Sequence, residues 1–179
     1  MIGAAGRGPL STRSSPLKTI IRPMMSHFFS TDWDPWFHAA AVGDSAALAA
    51  MWDVGFTLER ADGRGHRALH LAALGGHDAA VAWLLARGAV LEAPGWQGWT
   101  PLMAAARGGC EAVVARLLAS GGEVRARGQC GDTALHMAAG NGGRIAARLI
   151  AAGAELDAAC KGHYCVALAA TRSCGRALG

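Results

Sequence analysis

Cysteine and histidine residues near the carboxyl end form the densest group of potential metal ligands in the sequence. The run CKGHYC brings Cys160, His163 and Cys165 close together along the chain, and zinc accepts thiolate and imidazole ligands. Structural zinc sites use recognisable paired spacings, whereas the order C-x-x-H-x-C positions its third ligand awkwardly. We therefore expect no metal and no cofactor, and we keep a zinc-binding or enzymatic protein that uses these three residues as an alternative.

Histidines within the body of the chain, His70 and His136, invite a catalytic interpretation. The sequence contains no G-x-S-x-G, P-loop, H-E-x-x-H or kinase signature around them or elsewhere. The glycines of Arg107-Gly108-Gly109 lie between two predicted helices, not between a strand and a helix, so they do not predict a phosphate-binding loop. We expect the protein not to be an enzyme.

The segment around His136 belongs to a pattern that recurs every 33 residues. Residues 131–139 read GDTALHMAA, residues 100–106 read TPLMAAA, residues 67–73 read RALHLAA and residues 34–40 read DPWFHAA. A fixed period of this length is the signature of a repeat architecture, in which each unit is one supersecondary motif that stacks on its neighbours.

One unit, residues 95–126, indicates the elements of this motif. Thr100 is a favourable N-cap and Pro101 follows at the first helical position, so a short helix is predicted up to Gly108-Gly109. A second helix begins near Glu111, and its i, i+3, i+4 spacing creates one apolar stripe of Val113, Val114, Leu117 and Leu118. The fold class is therefore all-α.

Glycines and alanines recur at equivalent places in the other units. The paired alanines of the first helices predict close packing between units, because only small side chains allow short helices to approach closely. Bulkier pairs, namely Leu84-Leu85, Leu117-Leu118 and Leu149-Ile150, are expected between the helix layers, and Trp36 and Trp52 replace leucine in the core. The predicted ends are Gly43, Gly76, Gly109 and Gly142 for the first helices, and Gly55, Gly88, Gly121 and Gly153 for the second helices.

These units resemble ankyrin repeats, with the family's T-P-L-H-x-A-A signature and G-H-x-x-x-V-x-x-L-L continuation. The closest copy is RALHLAA at 67–73, followed by Gly76-His77 and VAWLL at 81–85. The resemblance implies an all-α ankyrin-repeat solenoid of helix-turn-helix units joined by hairpin-like loops. We expect this domain at residues 32–179, with units at about 32–62, 63–95, 96–128 and 129–160 and a partial unit at 161–179.

The resemblance also implies a structural role for the two histidines. In the family this histidine lies near the helix start and forms hydrogen bonds with the N-cap threonine and the neighbouring backbone. His136 and Thr133 match that arrangement directly, whereas Arg67 replaces the threonine before His70.

The family's exposed loop and first-helix positions imply a concave surface that binds a partner protein. Trp96 and Trp99 stand out there because aromatic residues anchor protein interfaces, although each ring could instead fold over the neighbouring loop and exclude water. The predicted partner-binding residues are Arg64, His66, Leu74, Trp96, Gln97, Trp99, Arg107, Gln129, Asp132, Asn141, Lys161 and His163. The implied function is a non-catalytic protein-interaction scaffold.

Charge is distributed unevenly between the leader and the repeats. The net charge is +4, but residues 1–31 contain Arg7, Arg13, Lys18 and Arg22 and no acid, so residues 32–179 are neutral. A neutral domain gives no reason to expect nucleic-acid binding, and a nucleic-acid-associated regulator is therefore only an alternative. We expect the leader to be a disordered basic tail or an over-extended start, with organelle targeting as the other option.

The remaining expectations concern the compartment and the assembly state. Five cysteines without a C-x-x-C pair or a secretory leader favour reduced thiols and a cytoplasmic protein. No apolar run approaches the ~18–20 residues of a membrane-spanning helix, so no membrane partner is expected. We expect a monomer.

Overall fold

The computed structural model describes residues 34–141 and 143–156, which fold into four pairs of antiparallel helices. Within these residues the α-helices are α1 (Pro35–Val42), α2 (Ser45–Val54), α3 (Ala68–Gly75), α4 (Asp78–Ala86), α5 (Pro101–Gly108), α6 (Glu111–Ala119), α7 (Ala134–Ala138) and α8 (Gly143–Ala151). A short 3₁₀ turn at Trp96–Gly98 precedes α5. The predicted leader at 1–31 and the partial fifth unit at 161–179 lie outside the described residues.

The helix pairs stack in a row, and each pair packs against the next. The first helices form one layer in which α1 contacts α3, α3 contacts α5 and α5 contacts α7. The second helices form the other layer, in which α2, α4, α6 and α8 contact their neighbours in the same order. The predicted all-α solenoid is therefore confirmed over the described residues, and one pair falls within each of the four predicted full units.

The first helices begin and end as the repeated residues predict. Oγ1 of Thr100 accepts a hydrogen bond of 3.4 Å from the Met103 amide, and Pro101 occupies the first helical position. Gly43, Gly76 and Gly109 follow α1, α3 and α5 with φ angles of 77°, 77° and 78°, a region that L-residues with a Cβ avoid. Gly142, the fourth predicted end, lies outside the described residues.

Leucine side chains at the start of each predicted bulky pair fill the space between the two layers. Leu84, Leu117 and Leu149 are fully buried, and burial of each such side chain contributes about 1.5–3 kcal/mol. The second members, Leu85, Leu118 and Ile150, are only partly buried against this core. Together with the buried Leu48 of α2, these side chains form one core cluster that runs from the first pair to the fourth.

The two tryptophans predicted to replace core leucines differ in burial. Trp36 is fully buried and stacks on Phe56 with ring centroids 5.8 Å apart, as expected. Trp52 is only partly buried, because it lies at the margin of the core and packs edge-on against Trp83 at 6.4 Å.

Polar groups also join neighbouring units along the outer side of the row. The guanidinium of Arg116 on α6 forms hydrogen bonds with both carboxylate oxygens of Asp78 on α4, and Arg148 on α8 pairs with Glu111 on α6 at 2.8 Å. These pairs are exposed, so screening by water and salt leaves them little weight in the stability. Stacking of apolar side chains therefore dominates the stability of the row.

None of the helices in the described part of the chain combines the length and apolar character that crossing a membrane would require.

The first helices approach so closely that even a methyl group is excluded at one contact. The paired alanines Ala72-Ala73 and Ala105-Ala106 are fully buried between α3 and α5. At the end of α5, a Cβ added to Gly108 would overlap the carbonyl oxygen of Leu74. The predicted steric reason for small residues in this layer is therefore confirmed at atomic detail.

Gly108→Ala should lower the free energy of unfolding by about 1–3 kcal/mol, because the added methyl group forces backbone to move. The direction of this change is informative, because Gly→Ala within a helix normally raises the free energy of unfolding by roughly 0.5–1 kcal/mol. Chemical denaturation followed by circular dichroism measures the change. Gly140→Ala is the matched control, because its Cβ would meet no heavy atom within 4 Å. Equal stability of the two variants would contradict the close approach of α3 and α5.

Candidate functional site

A groove of about 320 Å³ opens between the second and third units on the side of the loops and first helices. Its size is in the range of ordinary ligand-binding clefts. Half of the predicted partner-binding residues line it, namely Arg64, His66, Leu74, Trp96, Trp99 and Arg107. His70, Leu71 and Ala104 complete the lining.

The two tryptophans of the groove have different environments. Trp96 is 43% exposed, whereas Trp99 is 7% exposed and belongs to the core. Their rings meet edge to face with centroids 5.3 Å apart. The exposure that we expected for Trp99 is therefore wrong, because its ring folds against the next loop, where a Cβ on Gly128 would lie 3.2 Å from Trp99 Cδ1.

His70 forms the buried wall between the groove and the core. Its Nδ1 accepts a 3.2 Å hydrogen bond from the Arg67 amide, so Nε2 carries the proton and donates to the Trp99 carbonyl oxygen at 3.0 Å. Burial lowers the pKa of His70 from 6.5 to about 4, although the hydrogen bond to Trp99 opposes the shift. The neutral ring ties the second unit to the loop of the third.

His136 occupies the equivalent position in the fourth unit. Its Nδ1 lies 2.7 Å from Thr133 Oγ1 and 3.3 Å from the Thr133 amide nitrogen. The structural role implied for both histidines is confirmed. At His70, where Arg67 replaces the threonine, Nδ1 accepts its hydrogen bond from the Arg67 backbone amide instead of pairing with a threonine hydroxyl.

Two arginines supply the positive charge of the groove. Arg64 and Arg107 are exposed, and the Arg107 guanidinium lies 5.2 Å above the ring centre of Trp99. Within residues 34–141 and 143–156, neither arginine has a carboxylate within 4 Å. Burial lowers the pKa of His66, which favours the neutral imidazole at pH 7.

The nearest acidic side chain of the loop is already engaged in the turn. Asp62 Oδ1 accepts hydrogen bonds from the backbone amides of Arg64 and His66, at 2.9 and 2.7 Å. These bonds shape the loop that carries Arg64 and His66 to the groove. Because the Asp62 carboxylate accepts these backbone hydrogen bonds, the Arg64 guanidinium is left available to solvent.

Three other predicted partner-binding residues form hydrogen bonds between the third and fourth units, namely Gln97, Gln129 and Asn141. Gln97 has a φ of 54°, and its carbonyl oxygen accepts a 2.8 Å hydrogen bond from the Gln129 amide. The Asn141 side-chain amide donates to the carbonyls of Ala106, at 2.9 Å, and Arg107. Asp132 is half-buried in the fourth loop. The remaining two, Lys161 and His163, lie outside the described residues.

Leu71 and Ala104 line the groove although we did not predict them. They occupy the same position of the repeat, between the histidine position and the alanine pair, where the fourth unit has Met137. The residue type at this position changes between units while the flanking alanines persist. That variability, inside an otherwise constant block, was the signal for a groove-lining position.

The part of the chain that the structure describes holds no cluster of three or more His, Cys, Asp and Glu residues suited to a metal. The alternative zinc site at Cys160, His163 and Cys165 lies outside that part.

Comparison with known families agrees with the stacked helix pairs. A family model described as ankyrin repeats, in three copies, matches residues 36–127 and 91–161. No curated protein matches the chain significantly.

Lowering the pH from 6.5 to 4 should destabilise the protein in proportion to the pKa shift of His70. In this window the unfolded state binds a proton at His70 and the folded state does not, so the free energy of unfolding falls by up to about 3 kcal/mol. Denaturation at a series of pH values measures the slope. His70→Gln is the control, because it removes the titrating group. An identical pH slope in the variant and the wild type would show that His70 is not the group responsible.

Proposed function

Because the chain belongs to the ankyrin repeat family, we propose that it is a non-catalytic module that binds another protein through the groove between its second and third units. Ankyrin repeats generally mediate protein–protein interaction. The observation that supports this site is the exposure of Leu74 and Trp96 in one concave surface, beside two arginines that have no carboxylate within 4 Å in the described part of the chain.

The side chains of the groove are of the types that contribute most to protein interfaces. Trp and Arg are enriched among residues whose loss weakens binding strongly, particularly where a pocket excludes water. Trp96 rests on the buried Trp99 ring, so its position is held before a partner arrives. A side chain that is already held loses less conformational entropy on binding.

A catalytic role has less support, because the buried histidine of the groove wall, His70, is engaged in structural hydrogen bonds. Both ring nitrogens of the buried His70 are used in hydrogen bonds to backbone groups, and general acid–base catalysis needs a ring nitrogen within reach of substrate. The ankyrin repeat family is typically non-catalytic. We therefore propose no reaction for this protein.

We further propose that the protein is a cytoplasmic monomer. Within the described residues Cys110 and Cys130 are free thiols, and reducing intracellular compartments keep thiols in this state. The neutral charge of residues 32–179 supports a protein partner rather than nucleic acid. Sedimentation analysis of the full chain tests the monomer.

Replacement of Trp96 and Leu74 together by alanine should remove the partner while the fold persists. Both side chains are exposed, so the melting temperature should change by only about 2 °C, whereas binding should weaken at least about tenfold. Affinity capture from source-cell extract, quantified by mass spectrometry, measures retention by the immobilised proteins. Trp99 is not a suitable target, because truncation of this buried ring should itself destabilise by about 3–5 kcal/mol.

Val90→Ala is the matched control for this experiment, since Val90 is also exposed and does not line the groove. Equal retention of the same proteins by the wild type, the double variant and the control would place the binding surface elsewhere.

A further inference from the structure

We infer that the groove binds an acidic segment of its partner, with carboxylates facing Arg64 and Arg107 and an apolar side chain against Leu74 and Trp96. This inference rests on the proposed function and adds the chemistry of the partner.

Two of the four arginines that have no carboxylate within 4 Å in the described residues meet at the groove. Most arginines there are matched by a carboxylate, including Arg60 with Asp34, Arg67 with Glu59 and Arg148 with Glu111. Arg64 and Arg107 lack such a partner in the same part of the chain, and both line the groove. Two unmatched charges of one sign at one concave site favour a ligand of the opposite charge.

Arginine is well suited to this recognition because its planar group donates two parallel hydrogen bonds to one carboxylate. The Arg107 guanidinium already lies over the Trp99 ring, which restricts its orientation. A guanidinium is weakly hydrated, so bringing a carboxylate to it costs less than it would at a lysine. The carboxylates of Asp and Glu, without phosphorylation, therefore suit Arg64 and Arg107 as ligands.

The apolar part of the groove requires more than charge from its ligand. Leu74 is 39% exposed and Trp96 is 43% exposed, and together they present apolar surface directly beside the two arginines. A purely acidic ligand would leave that surface in water. The complementary ligand is a peptide that combines Asp or Glu with at least one aliphatic or aromatic side chain.

Tails of this chain do not match the groove. Residues 1–33 carry Arg7, Arg13, Lys18 and Arg22 against the single acid Asp32. Residues 157–179 carry Lys161, Arg172 and Arg176 against Asp157. Both segments are basic, so repulsion by Arg64 and Arg107 disfavours them as occupants, whether from the same molecule or from a second copy. The occupant that we propose is a segment of a different protein.

Selection of random peptides on the folded full-length protein tests the inference without a known partner. The selected peptides should contain at least about twice the Asp and Glu of the starting library, together with apolar residues. Fluorescence anisotropy of the best labelled peptide should then show about tenfold weaker binding to Arg64→Gln/Arg107→Gln than to the wild type. Arg125→Gln/Arg144→Gln is the control with the same change in net charge, and it should bind within about twofold of the wild type.

Several results would overturn the inference. Selected peptides that are neutral or basic, and that lose binding on Trp96→Ala/Leu74→Ala but not on Arg64→Gln/Arg107→Gln, would leave the proposed function intact and remove the acidic partner. Absence of any peptide whose binding depends on the groove would remove both. A single-stranded DNA oligonucleotide is the competing ligand. If it bound at least as tightly as the best peptide, and lost binding on Arg64→Gln/Arg107→Gln, the two arginines would be assigned to nucleic-acid binding. Self-association abolished by Arg64→Gln/Arg107→Gln would assign the groove to a second copy.

Discussion

Close contact between neighbouring first helices is the constraint on which the rest of the structure depends. A Cβ on Gly108 would meet the Leu74 carbonyl oxygen, and buried alanines separate α3 from α5 elsewhere in the contact. Side chains that cannot enter this layer must lie on its concave rim. Leu74 and Arg107 occupy equivalent positions directly after the alanine pairs, where both are exposed. Steric exclusion within the stack therefore determines which side chains are available to a partner.

The loops that complete the groove are held by hydrogen bonds that cross from one unit to the next. His70 donates to the Trp99 carbonyl oxygen, and the Gln97 carbonyl oxygen accepts from the Gln129 amide. An isolated unit has neither partner, so its loop could not hold this conformation. This dependence on neighbours is the general property of repeat proteins, in which interfaces between units supply much of the stability. The proposed binding surface thus belongs to the row of units rather than to any single one.

The repeated residues predict the helix pairs, their ends and their order, because each of these depends on local chemistry that recurs at a fixed spacing. Gly76 and Gly109 adopt the left-handed conformation for this reason. The environment of Trp99 was not predictable from the same pattern, because its burial depends on the loop of the next unit. Asn141 is similar: its amide reaches the last carbonyls of α5, a contact between elements that are far apart in sequence. Local rules thus predict the elements, while contacts between units decide which loop residues remain exposed.

The neutral histidines give the groove its electrostatic character. Burial lowers the pKa of both His66 and His70, so their rings add no charge near pH 7. The positive potential then comes from Arg64 and Arg107, whose charge does not change over the physiological range. If His66 were charged, it would add a pH-dependent attraction for acidic ligands and would repel Arg64. Because the fold favours the neutral form of these rings, the groove separates two tasks: His70 fixes the loop of the next unit, and in the proposed function Arg64 and Arg107 select the partner.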